Sequence, residues 1–342
     1  MTNNRVTSHD VAQAAGVSRA TVSVVLNNLP GIAISDATRQ RVLDVAKQLN
    51  YSPNSAGRKL ASGKSNTIGL VLHQSPEQVY ADAFLTRVMF GIEQAAMKHG
   101  YHVLLKQVDP ADPTGYRQLV SENHVDGIIL SGPRQDDPEL LRLVDEGVHI
   151  MLLGQIPDST IPFVDIDATR SAEQAVRHLV QLGHTRIAII TNASLSYTSA
   201  QQRLLGYQNA LEQAGLTLEP AYVKEGNYTP GSGLAAMNQL LALPQPPTAV
   251  FVASDVVALG AMLAVKNAGL HIPHDMAFVG FDDIALAEFY DPPLTTVRLP
   301  GYKLGMMACE RLLHLLKWGK LNQPGYLFET DLVVRSSSIA TP

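Results

Sequence analysis

The stretch VTSHDVAQAAGVSRATVSVVLNN, residues 6–28, decides the fold of the N-terminal region. Thr7-Ser8-His9-Asp10 opens an apolar pattern of Val11, Ala12, Ala14 and Ala15. Thr7 suits a helix cap, and Asp10 stands where the reciprocal partner of a capping box belongs. Gly16 breaks this helix. Ser18 caps the next, which sends Ala20, Val22, Val25 and Leu26 toward a core. Two short helices about a tight Gly16-Val17-Ser18 turn predict a helix-turn-helix, whose second helix is the usual reader of the major groove. A third helix starts at Ser35-Asp36-Ala37-Thr38, with Val42, Val45, Ala46 and Leu49 at helical spacing. Any three-helix mini-domain shares that periodicity. What favours DNA is the set left outside: Arg19, Ala20, Ser23 and Asn27 are small or polar groups able to approach base edges. Arg39, Arg41 and Lys47 are placed to meet phosphates.

Residues 51–64 read differently. Pro53 suits a first helical turn and Gly63 a helix end. A helix that short is unstable alone in water, and Gly57 costs it a further ~1 kcal/mol relative to alanine. The segment is therefore a linker, or a helix that folds on contact with a partner. Leu60 either packs on a neighbouring domain or wedges between base pairs from the minor groove.

Charge divides the chain at the same place. Residues 1–64 hold eight Lys and Arg against three acids, a net +5, and the remainder holds 18 against 28, a net −10. A basic small piece on an acidic body fits a nucleic-acid-binding module carried by a soluble core. No run approaches a membrane span, and the first ten residues, MTNNRVTSHD, lack the apolar stretch of a secretory signal. With Cys309 as the single cysteine, no intrachain disulfide or multi-cysteine metal site is expected. A cytoplasmic location is expected.

From Asn66 onward strands and helices alternate. Apolar β-rich runs at 67–73, 102–107, 126–131 and 150–154 are separated by amphipathic stretches near 84–99, 115–123 and 138–146. The cycle repeats with strands near 186–191, 222–226, 248–253 and 276–281 and helices near 169–182, 202–214, 231–243 and 256–268. Repeated βαβ units imply parallel sheets covered on both faces. The length favours two lobes, and ligands of open parallel sheets bind beyond the carboxyl ends of the strands. Asp167, Arg203, Tyr228, Asp255 and Asp282 fall at such ends. Carboxylates accept hydroxyl hydrogens, an arginine donates, and a ring covers C–H faces, so the set suits a polyhydroxylated ligand. Each also has a plain structural reading: Asp255 as the cap of the next helix, Asp283 as a turn residue, Arg203 as a partner for an acid.

The chain resembles the LacI/GalR family. The headpiece motif runs from Val6 through Ser23 to Leu26-Asn27-Asn28, and Asn50-Tyr51-Ser52-Pro53-Asn54 leading to Leu60 resembles the family's hinge. Arg203-Leu204-Leu205-Gly206-Tyr207, Ala253-Ser254-Asp255 and Gly280-Phe281-Asp282-Asp283 resemble its effector-pocket blocks, and 292–297 its late crossover between lobes. The resemblance implies an all-α helix-turn-helix headpiece at 1–50 and a hinge at 51–65. It implies an α/β core at 66–342 of two doubly wound parallel-sheet lobes, like a periplasmic binding protein. The N-lobe is expected at about 66–165 and 295–325, and the C-lobe at about 166–294 and 326–342.

The implied DNA-binding residues are Thr7, Ser18, Arg19, Ala20, Thr21, Ser23, Val24 and Asn27 in the headpiece, with Ala56, Gly57 and Leu60 in the hinge. Arg19, Ala20 and Val24 take the base-choosing positions. Val24 replaces a common arginine, so one guanine contact should be missing. The implied effector-binding residues are Asp167, Tyr197, Arg203, Tyr228, Ser254, Asp255 and Asp282. Ser254 stands where sugar-binding members often have asparagine. Tyr197 stands where a purine-binding member has a base-reading arginine. The resemblance implies a homodimer on a pseudo-palindromic double-stranded DNA operator, a small carbohydrate-like effector and no membrane partner. No heptad tail follows 333–335 to build a tetramer.

Two rivals fit less well. A solute-binding protein would have no use for residues 1–64. For an enzyme, we find no G-x-G-x-x-G after 67–73, no P-loop, no G-x-S-x-G and no zinc set, and no cofactor is expected.

Overall fold

A computed structural model describes residues 6–27, 32–51, 64–108, 115–122, 124–135 and 137–339. The chain divides into two compact units, Met1–Ser65 and Asn66–Pro342.

The first unit holds α1 (Ser8–Ala15), α2 (Arg19–Leu26) and α3 (Asp36–Gln48). Each start is fixed by local chemistry. The Asp10 carboxylate accepts from the Thr7 backbone N–H at 2.7 Å and from its hydroxyl at 2.8 Å. Ser18 and Ser35 accept from Thr21 N and Thr38 N. Gly16, at φ 63°, ends α1 in the left-handed conformation that glycine adopts without strain. Val11, Ala12 and Ala15 meet Val22, Val25, Val42 and Ala46 in a small core. Apolar periodicity alone places these contacts.

The second unit has two lobes built the same way. The first contains β1 (Thr67–Leu72), α4 (Pro76–Ala81), α5 (Ala83–Lys98), β2 (His102–Gln107) and α6 (Arg117–Ser121). It continues through β3 (Gly127–Ser131), α7 (Pro138–Asp145), β4 (Ile150–Leu153) and β5 (Phe163–Ile166). The second contains α8 (Ala168–Gln181), β6 (Ile187–Ile190), α9 (Thr198–Gln213), β7 (Val223–Lys224) and α10 (Pro230–Leu241). It continues through β8 (Ala249–Val252), α11 (Asp255–Asn267), β9 (Ala277–Asp282) and β10 (Thr295–Arg298). The chain then returns to the first lobe with α12 (Gly301–Trp318) and β11 (Gly325–Phe328), and ends on the second with β12 (Asp331–Val333). The sheet orders are β11-β5-β4-β3-β1-β2 and β12-β10-β9-β8-β6-β7. Among the strand pairs, β10–β12 is antiparallel and the others are parallel.

Three details differ from the expectation. Residues 295–298 do not open the return to the first lobe: β10 pairs in parallel with β9, Thr295 opposite Val279, so the crossing comes one strand later. Residues 326–328 lie in the first lobe and not the second, because β11 pairs with β5. The strand expected at 222–226 shortens to Val223–Lys224, since Pro220 opens a helical turn through Tyr222.

Helices cross closely where glycine permits. A Cβ on Gly305 of α12 would lie 2.0 Å from the Val88 oxygen of α5, and one on Gly260 of α11 would lie 1.7 Å from the Pro230 oxygen at the start of α10. Both approaches require the missing side chain. Among the described residues no helix is long and apolar enough to cross a membrane.

Candidate functional site

In the first unit, Arg19 and Ala20 are exposed on the first turn of α2. Their helix is held by Ser18, whose hydroxyl also lies 2.9 Å from that of Thr21. Ser18 and Thr21 therefore order the reading helix from its start, as Thr7 orders α1. Ser23 and Asn27 are half-buried and joined, the Asn27 amide donating to the Ser23 hydroxyl at 3.1 Å. Val24 differs from the rest. It is 6% exposed and lies outside the headpiece cluster. Ala56, Gly57 and Leu60 lie outside the described residues.

In the second unit, both lobes line one cleft with about 870 Å³ of empty space, part of it open to solvent. Of the residues expected there, Arg203, Tyr228, Ser254 and Asp282 line it. Arg203 sits on α9 and is 8% exposed. Its guanidinium donates to the Ala253 oxygen at 2.5 Å, stacks over the Phe281 ring at 4.1 Å, and stands 3.9 Å from the Asp282 carboxylate. Its Nε is buried and unpartnered among the described residues. Asp282 ends β9 at φ 125°, a conformation that aspartate seldom adopts and that the turn imposes. Burial pushes its carboxyl well above the usual range, and Asp255 and Asp82 push the same way, against Arg203 and a Ser254 hydrogen bond. Tyr228, at φ 54°, accepts from the Asn192 amide at 3.1 Å.

Asp167, Tyr197 and Asp255 do other work. Asp167 is exposed and caps α8 through Arg170 N at 2.9 Å. Tyr197 is buried and donates across the lobes to the His73 oxygen. Asp255 is 0% exposed and accepts from Ile284 N at 3.0 Å and the Thr296 hydroxyl at 2.6 Å. It is neither the cap of α11, a position that Ser254 takes, nor a cleft residue; it ties α11 to the segments around β9 and β10.

Sequence reasoning missed Asp82 and Asp165, which line the cleft from the first lobe. Asp82 caps α5 with one oxygen, accepting from Phe84 N and Leu85 N. Asp165 accepts from the Gln155 amide at 3.2 Å. Burial raises both carboxyls, Asp165 to about 6. A signal for Asp165 was present: it alternates with Val164 and Ile166, which are buried in the core, so its side chain must point the other way.

Comparison with known proteins agrees with this geometry. Residues 7–54 match the family described as "Bacterial regulatory proteins, lacI family", and residues 176–338 match a periplasmic binding protein-like domain. The HTH-type transcriptional repressor CytR of Escherichia coli K12 is 36% identical over 339 residues, spanning 98% of this chain and 97% of that protein. Among solved structures, a lac repressor dimer bound to operator and the anti-inducer ONPF superposes with a TM-score of 0.86 at 31% identity. That match covers 98% of this chain and 100% of that one. A transcriptional regulator CelR–cellobiose complex gives 0.75 at 32% identity over the same shares. With its helix-turn-helix headpiece and its two-lobed, periplasmic-binding-protein-like core, this chain belongs to the LacI family of bacterial regulatory proteins.

Proposed function

We propose that this protein is a cytoplasmic, homodimeric repressor of carbohydrate-utilisation genes, released from a pseudo-palindromic DNA operator by a small sugar-like effector. It is a regulator and not an enzyme in this reading. The observation that carries it is Arg203: a buried guanidinium with a free Nε, set against Asp282 at the wall of a cleft between lobes. Donor and acceptors on one wall suit ring hydroxyls, and the apolar residues opposite suit C–H faces. Two relatives support the assignment, since one solved neighbour is an operator-bound dimer and another holds cellobiose. Domain limits of 1–50, 51–65 and 66–342 are proposed with it.

The coupling is thermodynamic. Operator binding requires two headpieces at a fixed spacing, and the lobe arrangement sets that spacing. An effector that favours another arrangement weakens DNA affinity, and DNA weakens effector affinity by the same factor. A corepressor would use the same parts with opposite sign. Fluorescence anisotropy on a DNA fragment from the protein's own promoter region, with and without a panel of sugars, tests this. One sugar should release the DNA, and Arg203→Ala should bind DNA but no longer respond. DNA binding that no compound alters, with no compound binding the core, would overturn it.

A further inference from the structure

The geometry points to Asp82 and Asp165 as ligand-contacting residues, and to an effector that carries no negative charge and offers hydroxyl or amine hydrogens to both walls of the cleft. This rests on the reading of the cleft as the effector site and narrows what that site accepts.

The charges around the cleft do not balance. Asp82 and Asp165 line it from the first lobe, Asp282 from the second, and Arg203 is the single cation among its lining residues. Arg203 acts on all three carboxyl groups, so one guanidinium serves three acids, each of which burial holds above its usual range. The helix start at Asp82 satisfies one of its oxygens, and Gln155 satisfies one of Asp165. Asp82 also takes a hydrogen bond from Gln74, Asp165 one from the Ile166 backbone and Asp282 one from Ser254, fewer donors than the lone pairs of three carboxyl groups can accept. Two more polar atoms stand ready on the second-lobe wall with Asp282: Arg203 Nε and Asn192 Oδ1, both buried and unpartnered among the described residues. Phe84, Leu85, Val88, Leu299 and Leu304 add an apolar surface. A phosphate or carboxylate placed here would meet like charge in a poorly solvated space, which costs several-fold to many-fold in affinity. Ring hydroxyls, or an ammonium in place of one of them, would instead donate to ionised carboxylates, the stronger kind of hydrogen bond.

Surplus carboxylates should also weaken the empty protein, because binding groups held ready for a ligand are stability forgone. The groups facing Asp165 are Arg203, Asp167 and Gln155. Those facing Asp82 are Arg203, Gln74, Asp282 and Tyr228, and those facing Asp282 are Arg203, Asp255, Asp82 and Ser254. Burial raises Asp165 above its unfolded value, so ionising it costs stability as pH rises through about 6.

Two measurements test this on the full chain. In the ligand-free arm, Asp165→Asn and Asp282→Asn are melted at pH 7.5 and at pH 4.5. Melting temperatures above wild type by a few degrees at pH 7.5, with the gain lost at pH 4.5, are expected. A lower melting temperature at pH 7.5 would overturn the inference by making these carboxylates structural. In the ligand arm, matched probes differing only in charge are compared by thermal shift: glucose, glucosamine and glucuronate; cellobiose and cellobionate; adenosine and adenosine monophosphate. The anionic member of any set that binds should bind at least ~10-fold more weakly, and Asp82→Asn or Asp165→Asn should narrow that gap. An anionic probe that binds as well as its neutral counterpart, and loses binding in Arg203→Ala, overturns the charge rule while the cleft stands as the effector site. A shift that survives Arg203→Ala, Asp165→Asn and Asp282→Asn overturns the cleft reading itself. A silent panel leaves the decision to the ligand-free arm.

Discussion

The phenol of Tyr197, at the start of α9 in the second lobe, donates to the main-chain oxygen of His73, just past β1 in the first. The same junction holds the Thr198 backbone and hydroxyl on the Pro133 oxygen at 3.2 Å, and Gln135 N on Ser196 O at 3.3 Å. The Tyr197 ring meets Tyr228 edge-on at 5.9 Å, and Tyr228 lines the cleft. One aromatic contact therefore separates the effector space from a bond between lobes. Tyr197→Phe removes that bond and little else. It is expected to lower stability by about 1 kcal/mol in urea melts. It should also raise, several-fold, the effector concentration that half-releases the operator, because a ligand that needs both lobes must then hold them unaided. A wild-type response would show that the bond has no part in lobe placement.

Asp255 gives a prediction of the opposite kind. It is fully buried, and its two oxygens serve Ile284 N and the Thr296 hydroxyl. Gly280 packs so tightly behind it that a Cβ there would fall 2.2 Å from Oδ1. Asp255→Ala leaves two buried donors unpaired and opens a void. A loss of about 2 kcal/mol or more is expected in chemical denaturation, with effector affinity per folded molecule within about twofold of wild type. A large affinity loss without a stability loss would return Asp255 to the cleft.

These two residues show how far sequence reaches. Local chemistry was legible: Thr7, Ser18 and Ser35 cap helices where a hydroxyl precedes an apolar period, and the runs at 67–73 and 248–253 become central strands. The crossings were not legible. β10, β11 and β12 are short, and their sheet is chosen by partners far away in sequence, such as Val279 for Thr295. Site residues were found where a motif carried them, as for Arg203 and Asp282. Asp82 and Asp165 escaped because one reads as an ordinary helix cap and the other as a polar interruption of a strand. Only the facing of two lobes gives them a common purpose. Tyr197 and Asp255 follow β6 and β8 but do not line the cleft, because their partners, His73 for one and Ile284 and Thr296 for the other, lie far away in sequence.

Acidification should act through two opposed sets of groups. Burial holds His178, beside Ser338, below the usual imidazole range, with His184 adding to it; burial does the same for His184, beside Thr248. Their folded values lie below the unfolded one, so their contribution is complete above about pH 6.5 and is lost as pH falls. Asp165 and Asp255, held up to about 6 chiefly by burial, bind protons more readily when folded. Their contribution therefore grows as pH falls from about 7 to 4. The wild-type melting temperature should change little between pH 7 and 5. His178→Gln removes one member of the first set only, so its melting temperature should rise relative to wild type on acidification. A parallel pair of profiles would mean that His178 titrates alike in both states.

The headpiece offers the sharpest separation of roles. Arg19 is exposed on the first turn of α2, whereas Lys47 is exposed near the end of α3. A base-reading arginine loses specific binding when truncated; a phosphate-binding lysine loses all binding evenly. Arg19→Ala should cost about 1–3 kcal/mol on operator DNA and relax discrimination at one base pair. Lys47→Ala should weaken operator and random DNA alike and lower the salt slope by about one ion. Val24 supplies the control. Its isopropyl group has no charge to offer a base, so Val24→Ala should change operator and random DNA affinity alike, by less than about 1 kcal/mol. Base preference should remain as in wild type. A changed preference in gel-shift selection would mean that α2 turns Val24 outward once it lies in the groove.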